Sequence, residues 1–192
     1  MKTLLISAAL AAALIAPSAA SAQALPSAVV AVVDLERVTA DCNACRTAQA
    51  ALRAQLQSYQ TREKSLTGPL QTEQQSIQSE VDALKGKEPG PALQARAKAW
   101  EAKRQQAAQE LQSQQEQIQR NQQYIQKQIQ DKLNPIYQQV MQRRGANLLV
   151  EVGSTLATSQ TIDVTNDVLA GLNSALPSLA TTAPAAQQPQ GR

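Results

Sequence analysis

The sequence predicts an α+β protein that is mostly α, a small β body carrying one long coiled-coil helical hairpin. Three observations lead there. Two amphipathic stretches of helix length lie between Ala48 and Met141, joined at Lys85-Gly86-Lys87-Glu88-Pro89-Gly90-Pro91. Short β-prone runs flank the pair, Val29–Val33 before it and Leu148–Val152 after it. The chain has no Phe, one Trp and three Tyr, so the large aromatics that usually dominate a core are nearly missing. Such a molecule is suited to holding or bridging others.

The first residues read as a signal peptide. Met1-Lys2 is a short positive start, Leu4 to Ile15 is apolar apart from Ser7, and Pro17 breaks the run. Ala20-Ser21-Ala22 has the small-x-small form that signal peptidase accepts, so cleavage is expected after Ala22, leaving a soluble, exported protein. The apolar run is well short of the ~20 residues that span a bilayer.

Ala28-Val29-Val30-Ala31-Val32-Val33 is short, β-branched and almost wholly apolar, which predicts a buried strand ended by Asp34. A helical stretch should follow from about Glu36 or Asp41. In the first arm Leu52, Leu56, Tyr59, Leu66, Leu70, Ile77 and Leu84 fit steps of four and three, with Glu63 and Glu73 filling gaps. This is a narrow, charge-interrupted heptad seam. The second arm repeats it through Leu93, Ala97, Trp100, Ala107, Leu111, Ile118, Ile125 and Ile129, with Arg104 and Gln114 on the same stripe. The connector holds two Gly and two Pro and reads as a turn. About forty residues per arm at ~1.5 Å each give a hairpin of roughly 60 Å.

Two prolines interrupt this pattern. Thr67-Gly68-Pro69 and Asn134-Pro135 are each expected to kink or break their helix, because proline removes a backbone bond and clashes with the preceding turn. Gly68 and Pro69 form a candidate hinge. After Gly145 the period changes. Leu148–Val152 predicts a strand, Leu156-Ala157-Thr158 a further short one, and Asn166 to about Leu172 a helix with Thr165 as its N-cap. From Pro177 to Arg192 only Ala, Pro, Gln, Ser, Thr and a few others remain, and disorder is expected. The organisation is thus a signal peptide at 1–22, an association body from 23–46 and 145–176, a hairpin at 47–144 with its turn at 85–91, and a tail at 177–192.

Composition excludes most chemistry. There is no His, the commonest general base and metal ligand. No phosphate-cradling glycine loop and no nucleophile elbow occur. No catalytic, cofactor or metal residue is therefore predicted, and the protein is read as a non-enzyme. The net charge of +3 falls to +2 without Lys2, too weak for a nucleic-acid surface. The excess sits in the far half of the hairpin, where weak contact with an acidic membrane surface is an alternative to a merely solvated face.

Cys42-Asn43-Ala44-Cys45 is the one motif with reactive side chains. A local disulfide fits an oxidising compartment. Free or intersubunit thiols, and a redox pair activated at a helix N-terminus beside Arg46, are the alternatives.

In this order the pieces resemble the Skp/OmpH family of periplasmic chaperones. Val30-Ala31-Val32-Val33-Asp34 is similar to the family's first strand, Leu148-Leu149-Val150-Glu151-Val152 to its next strand, and Asp163-Val164-Thr165-Asn166-Asp167-Val168-Leu169 to its closing motif. The resemblance implies a homotrimer whose strands form a barrel-like body and whose hairpins form tentacles around a cavity. It also implies ATP-independent binding of unfolded outer-membrane β-barrel proteins. On that reading Val30, Val32, Leu148, Val150 and Val152 are candidates for the trimer interface, and Trp100, Lys85 and Lys87 for contact with clients. The hairpin here is rich in Gln and nearly balanced in charge, where the best-known tentacles of the family are rich in Lys and Arg.

The residues favour association independently. One thin hairpin and a few short strands bury little surface, and open strand edges invite pairing with other copies. A coiled-coil envelope scaffold would instead bridge fixed, folded partners, and a thiol-redox factor would depend on Cys42 and Cys45.

Overall fold

The computed structural model describes residues 25–184; the signal-peptide reading falls outside them. The elements are β1 (Val30–Val33), α1 (Leu35–Asp41), α2 (Asn43–Ala83), α3 (Pro91–Arg144), β2 (Leu148–Glu151) and α4 (Thr165–Ala175), with 3-10 turns at Val152–Ser154 and Gln160–Ile162.

β1 and β2 pair in parallel, Val30 opposite Leu148 through Val33 opposite Glu151. A parallel pair needs a long crossover, and here the crossover is the entire hairpin. β1 is central: Val32 also bridges Asp163 on its other side, and the Val164 N–H donates to the Val32 carbonyl at 2.9 Å. That central position explains why Ala31, Val32 and Val33 are buried. Along β2, Leu148 remains 46% exposed.

Asp34 turns the chain from strand to helix. Its carboxylate accepts from the Arg37 N–H at 2.8 Å, capping α1, while its own N–H donates to the buried Thr165 hydroxyl at 2.9 Å. The start of α1 and the start of α4 are thereby joined across the sequence. Val38, Cys42, Cys45, Ile136, Val140, Val164, Val168 and Leu172 then close one apolar core at the root of the hairpin.

α2 and α3 leave this root side by side. The turn between them uses left-handed backbone at Lys85 (φ 49°) and Gly86 (φ 86°), and Pro91 opens α3 where its missing N–H costs nothing. At the other end Gly145 stands at φ 66°, and the Ala146 N–H reaches back to the Met141 carbonyl at 2.9 Å, which ends α3.

Several expectations are corrected. Neither proline breaks its helix: α2 runs unbroken through Pro69 and α3 through Pro135. Around Pro135 the reason is burial, since Leu133, Ile136 and Val140 are fixed in the core on both sides. Burying such side chains is worth ~1.5–3 kcal/mol each, enough to offset the ~3 kcal/mol that an interior proline costs. Residues 156–158 form no strand and lie between the two 3-10 turns, with Leu156 fully exposed. α4 begins at Thr165 itself, because the Asp163 carboxylate takes the Thr165 N–H at 2.8 Å and Thr165's hydroxyl is engaged by Asp34. The tail expected to be disordered from Pro177 is instead laid along the hairpin through Pro184, with alternate residues half-buried.

Candidate functional site

Two candidate surfaces follow from this architecture, the open edge of the root and the groove along the arms. At the root, β2 lies over Tyr137, whose hydroxyl pKa is pushed up by burial and then by nearby Glu151. Of the residues expected at a subunit interface, Leu148 is the most open, Val30, Val150 and Val152 are half-buried, and Val32 is enclosed within its own chain. Asp163 is held below the usual carboxylate range by hydrogen bonds from Thr165. It fixes the last edge of the sheet.

Cys42 and Cys45 are joined, with Cα atoms 5.1 Å apart. Both are buried in the core, where Cys42 ends α1 and its sulfur accepts the Cys45 N–H at the start of α2. The Asn43 N–H is taken by Asn173 of α4 at 2.9 Å. This junction therefore anchors the hairpin to the root.

Along the arms the packing thins. Outward from the root, Ala107, Asn121 and Ile125 are buried on the hairpin, and cross-arm polar contacts do the rest. Arg62 grips Glu110 through two hydrogen bonds of 2.6 and 3.0 Å. Arg96 reaches Glu73, Glu80 and Ser76 together. Its hydrogen bond keeps Glu73 below the ordinary carboxylate range, and Arg62 does the same for Glu110.

Trp100 sits between these clamps, half-buried. Its indole N–H donates to the Leu70 carbonyl at 2.9 Å, and the Arg104 guanidinium stands 5.7 Å from its ring centre. A cleft of about 440 Å³ opens beside it, lined in part by Leu66, Pro69, Leu70 and Ala107. The candidate hinge and the candidate client-contact tryptophan thus share one cleft. Lys85 and Lys87 are exposed at the distal turn, far along the hairpin from it.

Nearer the root the groove is lined by amides that sequence reasoning missed: Gln55, Gln117, Asn121 and Gln128, all bonded to the backbone of the tail or to one another. A signal for them exists. Gln114, Asn121 and Gln128 recur every seven residues in the same seam column as Trp100 and Ala107.

With this geometry in place, comparison with known proteins is decisive. The family profile described as outer membrane protein (OmpH-like) matches residues 29–172. The chain belongs to the OmpH-like family. The matched segment begins just before β1 and ends inside α4, so this family's defining region is root plus hairpin. A crystal structure described as an outer membrane chaperone (OmpH-like) from Caulobacter crescentus CB15 shares the fold at a TM-score of 0.67. Its sequence is 19% identical, and the match covers 85% of this chain and 96% of that one. No curated protein matches the chain. The tail on the arm groove lies beyond the OmpH-like match. Among the described residues no helix is long and apolar enough to cross a membrane, and no cluster of metal-ligating side chains occurs.

Proposed function

We propose that this protein is an ATP-independent periplasmic holdase, which takes unfolded outer-membrane β-barrel proteins between its arms and prevents their aggregation. The observation that carries this reading is the division of the chain into a cohesive root and a slender polar hairpin. α2 has 41 residues and α3 has 54, so the arm extends tens of ångströms beyond any core it could call its own. Family membership supports the same reading.

The root supplies the means of assembly. β2 has an exposed Leu148 beside an exposed Val29, on a sheet of two strands that is too small to stand alone comfortably. Homotrimeric pairing through this edge would bring three arms around one space. Weak contacts from several arms then add through effective concentration, and each still releases easily. This mode of work needs neither nucleotide nor catalytic residue. A thiol-redox role has little support, since both sulfurs are enclosed in the core.

Multi-angle light scattering of the purified, processed protein should give a trimer. Stoichiometric protein should keep a denatured outer-membrane β-barrel protein soluble on dilution from urea, without ATP. A stable monomer, or unchanged client turbidity, would refute the proposal. Recovery of one folded partner in place of many unfolded clients would point to an envelope scaffold.

A further inference from the structure

The tail leaves α4 and runs outward, antiparallel to α3, in the groove between the arms. Among the described residues, its polar contacts to the hairpin all use its main chain. Gln128 makes a paired contact with Ala180, its Nε2 donating to the Ala180 carbonyl at 2.9 Å and its Oε1 accepting the Ala180 N–H at 3.1 Å. Gln55 donates to the Thr181 carbonyl at 3.2 Å from the opposite arm. Asn121 accepts the Ala183 N–H at 2.8 Å, and Gln117 donates to the Ala183 carbonyl at 3.4 Å. Asn121 is itself 3% exposed and is held by Gln117 and Gln55.

The spacing of these groups has a simple origin. Seven helical residues rise ~10.5 Å, and three extended residues advance ~10 Å. Gln128 and Asn121 are seven apart, and Ala180 and Ala183 are three apart. A heptad column of side-chain amides is therefore in step with an extended chain, and can act towards it as a neighbouring strand does. Gln114 continues the column outward, its amide donating to Glu110 on its own helix at 3.2 Å. Because each bond goes to N–H or C=O, the polar contacts read chain conformation and not side-chain identity.

We infer that this amide ladder is a sequence-independent site for extended polypeptide backbone, and that residues 180–183 occupy it in cis in place of client. The ligand class is an unfolded polypeptide; its physiological occupant rests on the holdase reading above. A tethered tail competes at high local concentration, so client binds with an affinity lowered by the fraction of time that the groove is filled.

Hydrogen exchange on the full chain should show the Ala180 and Ala183 amides protected. In the N121L/Q128L variant that protection should vanish while α4 stays protected. A chain ending at Leu179 keeps every tail residue that packs on the core. It should bind an unfolded β-barrel polypeptide about five- to tenfold more tightly than the full chain. It should also bind a synthetic peptide of residues 178–184. Shuffling the peptide's order with Pro184 kept in place should change affinity by less than about threefold, and N-methylating its two alanines should abolish binding, because main-chain groups and not side chains are read. Unprotected Ala180 and Ala183 amides, an order-dependent peptide, or unchanged client affinity after truncation would each overturn the inference. If the truncated chain takes the peptide but no unfolded β-barrel protein, the backbone site stands and the holdase reading falls.

Discussion

The root and the arm of this chain are stabilised by different physics. In the root, strands and helix ends converge until Val38, Cys42, Val140, Val168 and Leu172 are almost wholly removed from water. Along the arm two helices meet over a seam in which Leu56 stays 46% exposed and charged side chains clamp across the gap. Apolar burial is non-directional and is not screened by salt. Exposed ion pairs are weak singly and are screened. A folded core and a surface free to accommodate many partners can thus coexist in one short chain.

The largest test of that contrast is cavity formation. Leu172→Ala in the root should cost ~3 kcal/mol, the usual range for an enclosed leucine, and lower Tm by roughly 10 °C. Leu56→Ala, at a seam position that is 46% exposed, should cost only about 1 kcal/mol because nearly half of its area is already in water. Thermal unfolding followed by circular dichroism would compare them directly. Equal losses would mean that the arm has a core of its own.

The Cys42–Cys45 link belongs to the root by the same criterion. C42S/C45S should destabilise by about 2 kcal/mol, the loop-closure entropy of a very short loop. Client holding below the new Tm should be unchanged. A redox phenotype without a loss of stability would move the pair from structure to chemistry.

Acid and salt should separate the two regions more gently. Arginine hydrogen bonds hold the Glu73, Glu101 and Glu110 carboxyls below their ordinary values. Their folded pKa values are thus lower than their unfolded ones, so the stabilisation is present above the unfolded values near 4.5 and disappears as pH falls through the folded ones. Protection factors of arm amides, which allow for the slowing of intrinsic exchange in acid, should fall below about pH 4 and in 1 M salt, with root amides changing less. Asp163 in the root shares this direction, so some loosening at the start of α4 is expected in acid.

Much of this division was legible in the sequence, and the exceptions share a cause. Valine runs, the glycine-proline turn and the seven-residue rhythm are local signals that survive translation into β1, β2, α2 and α3. The Asp34–Thr165 tie spans 131 positions, and neither residue's neighbourhood announces the other. The breaks expected at the prolines do not occur: propensity predicts them, and burial overrides it at Pro135. The tail misled for another reason. Its side chains are nearly featureless, but its attachment uses main-chain groups that every sequence carries. The partner was visible, had polar residues on the seam been treated as positions with a purpose: between Ile118 and Ile125 the four-three rhythm lands on Asn121, and next on Gln128.

The smallest expected effect on global stability, and the sharpest test of the arm by itself, concerns Gly68 and Pro69. Proline has no N–H to give the Ser65 carbonyl, and glycine is the next poorest helix former, so α2 is intrinsically weak at this point. The helix is nevertheless unbroken. Arg62–Glu110 and Trp100–Leu70 tie it to α3 at the level of the dipeptide, and the Arg96–Glu73 contact secures it just beyond. Bonds across the seam thus stand in for the one missing along the helix, and weakening them should release a hinge where an ordinary helix would hold. G68A/P69A should slow exchange of amides between residues 60 and 75 and narrow the distribution of arm orientations in solution scattering, with Tm shifted little because opening of the arm is local. Trp100→Phe, which removes the indole donor together with part of the ring's area, should act in the opposite direction. If neither variant alters arm motion, the dipeptide is a tolerated irregularity and the arm flexes at its root.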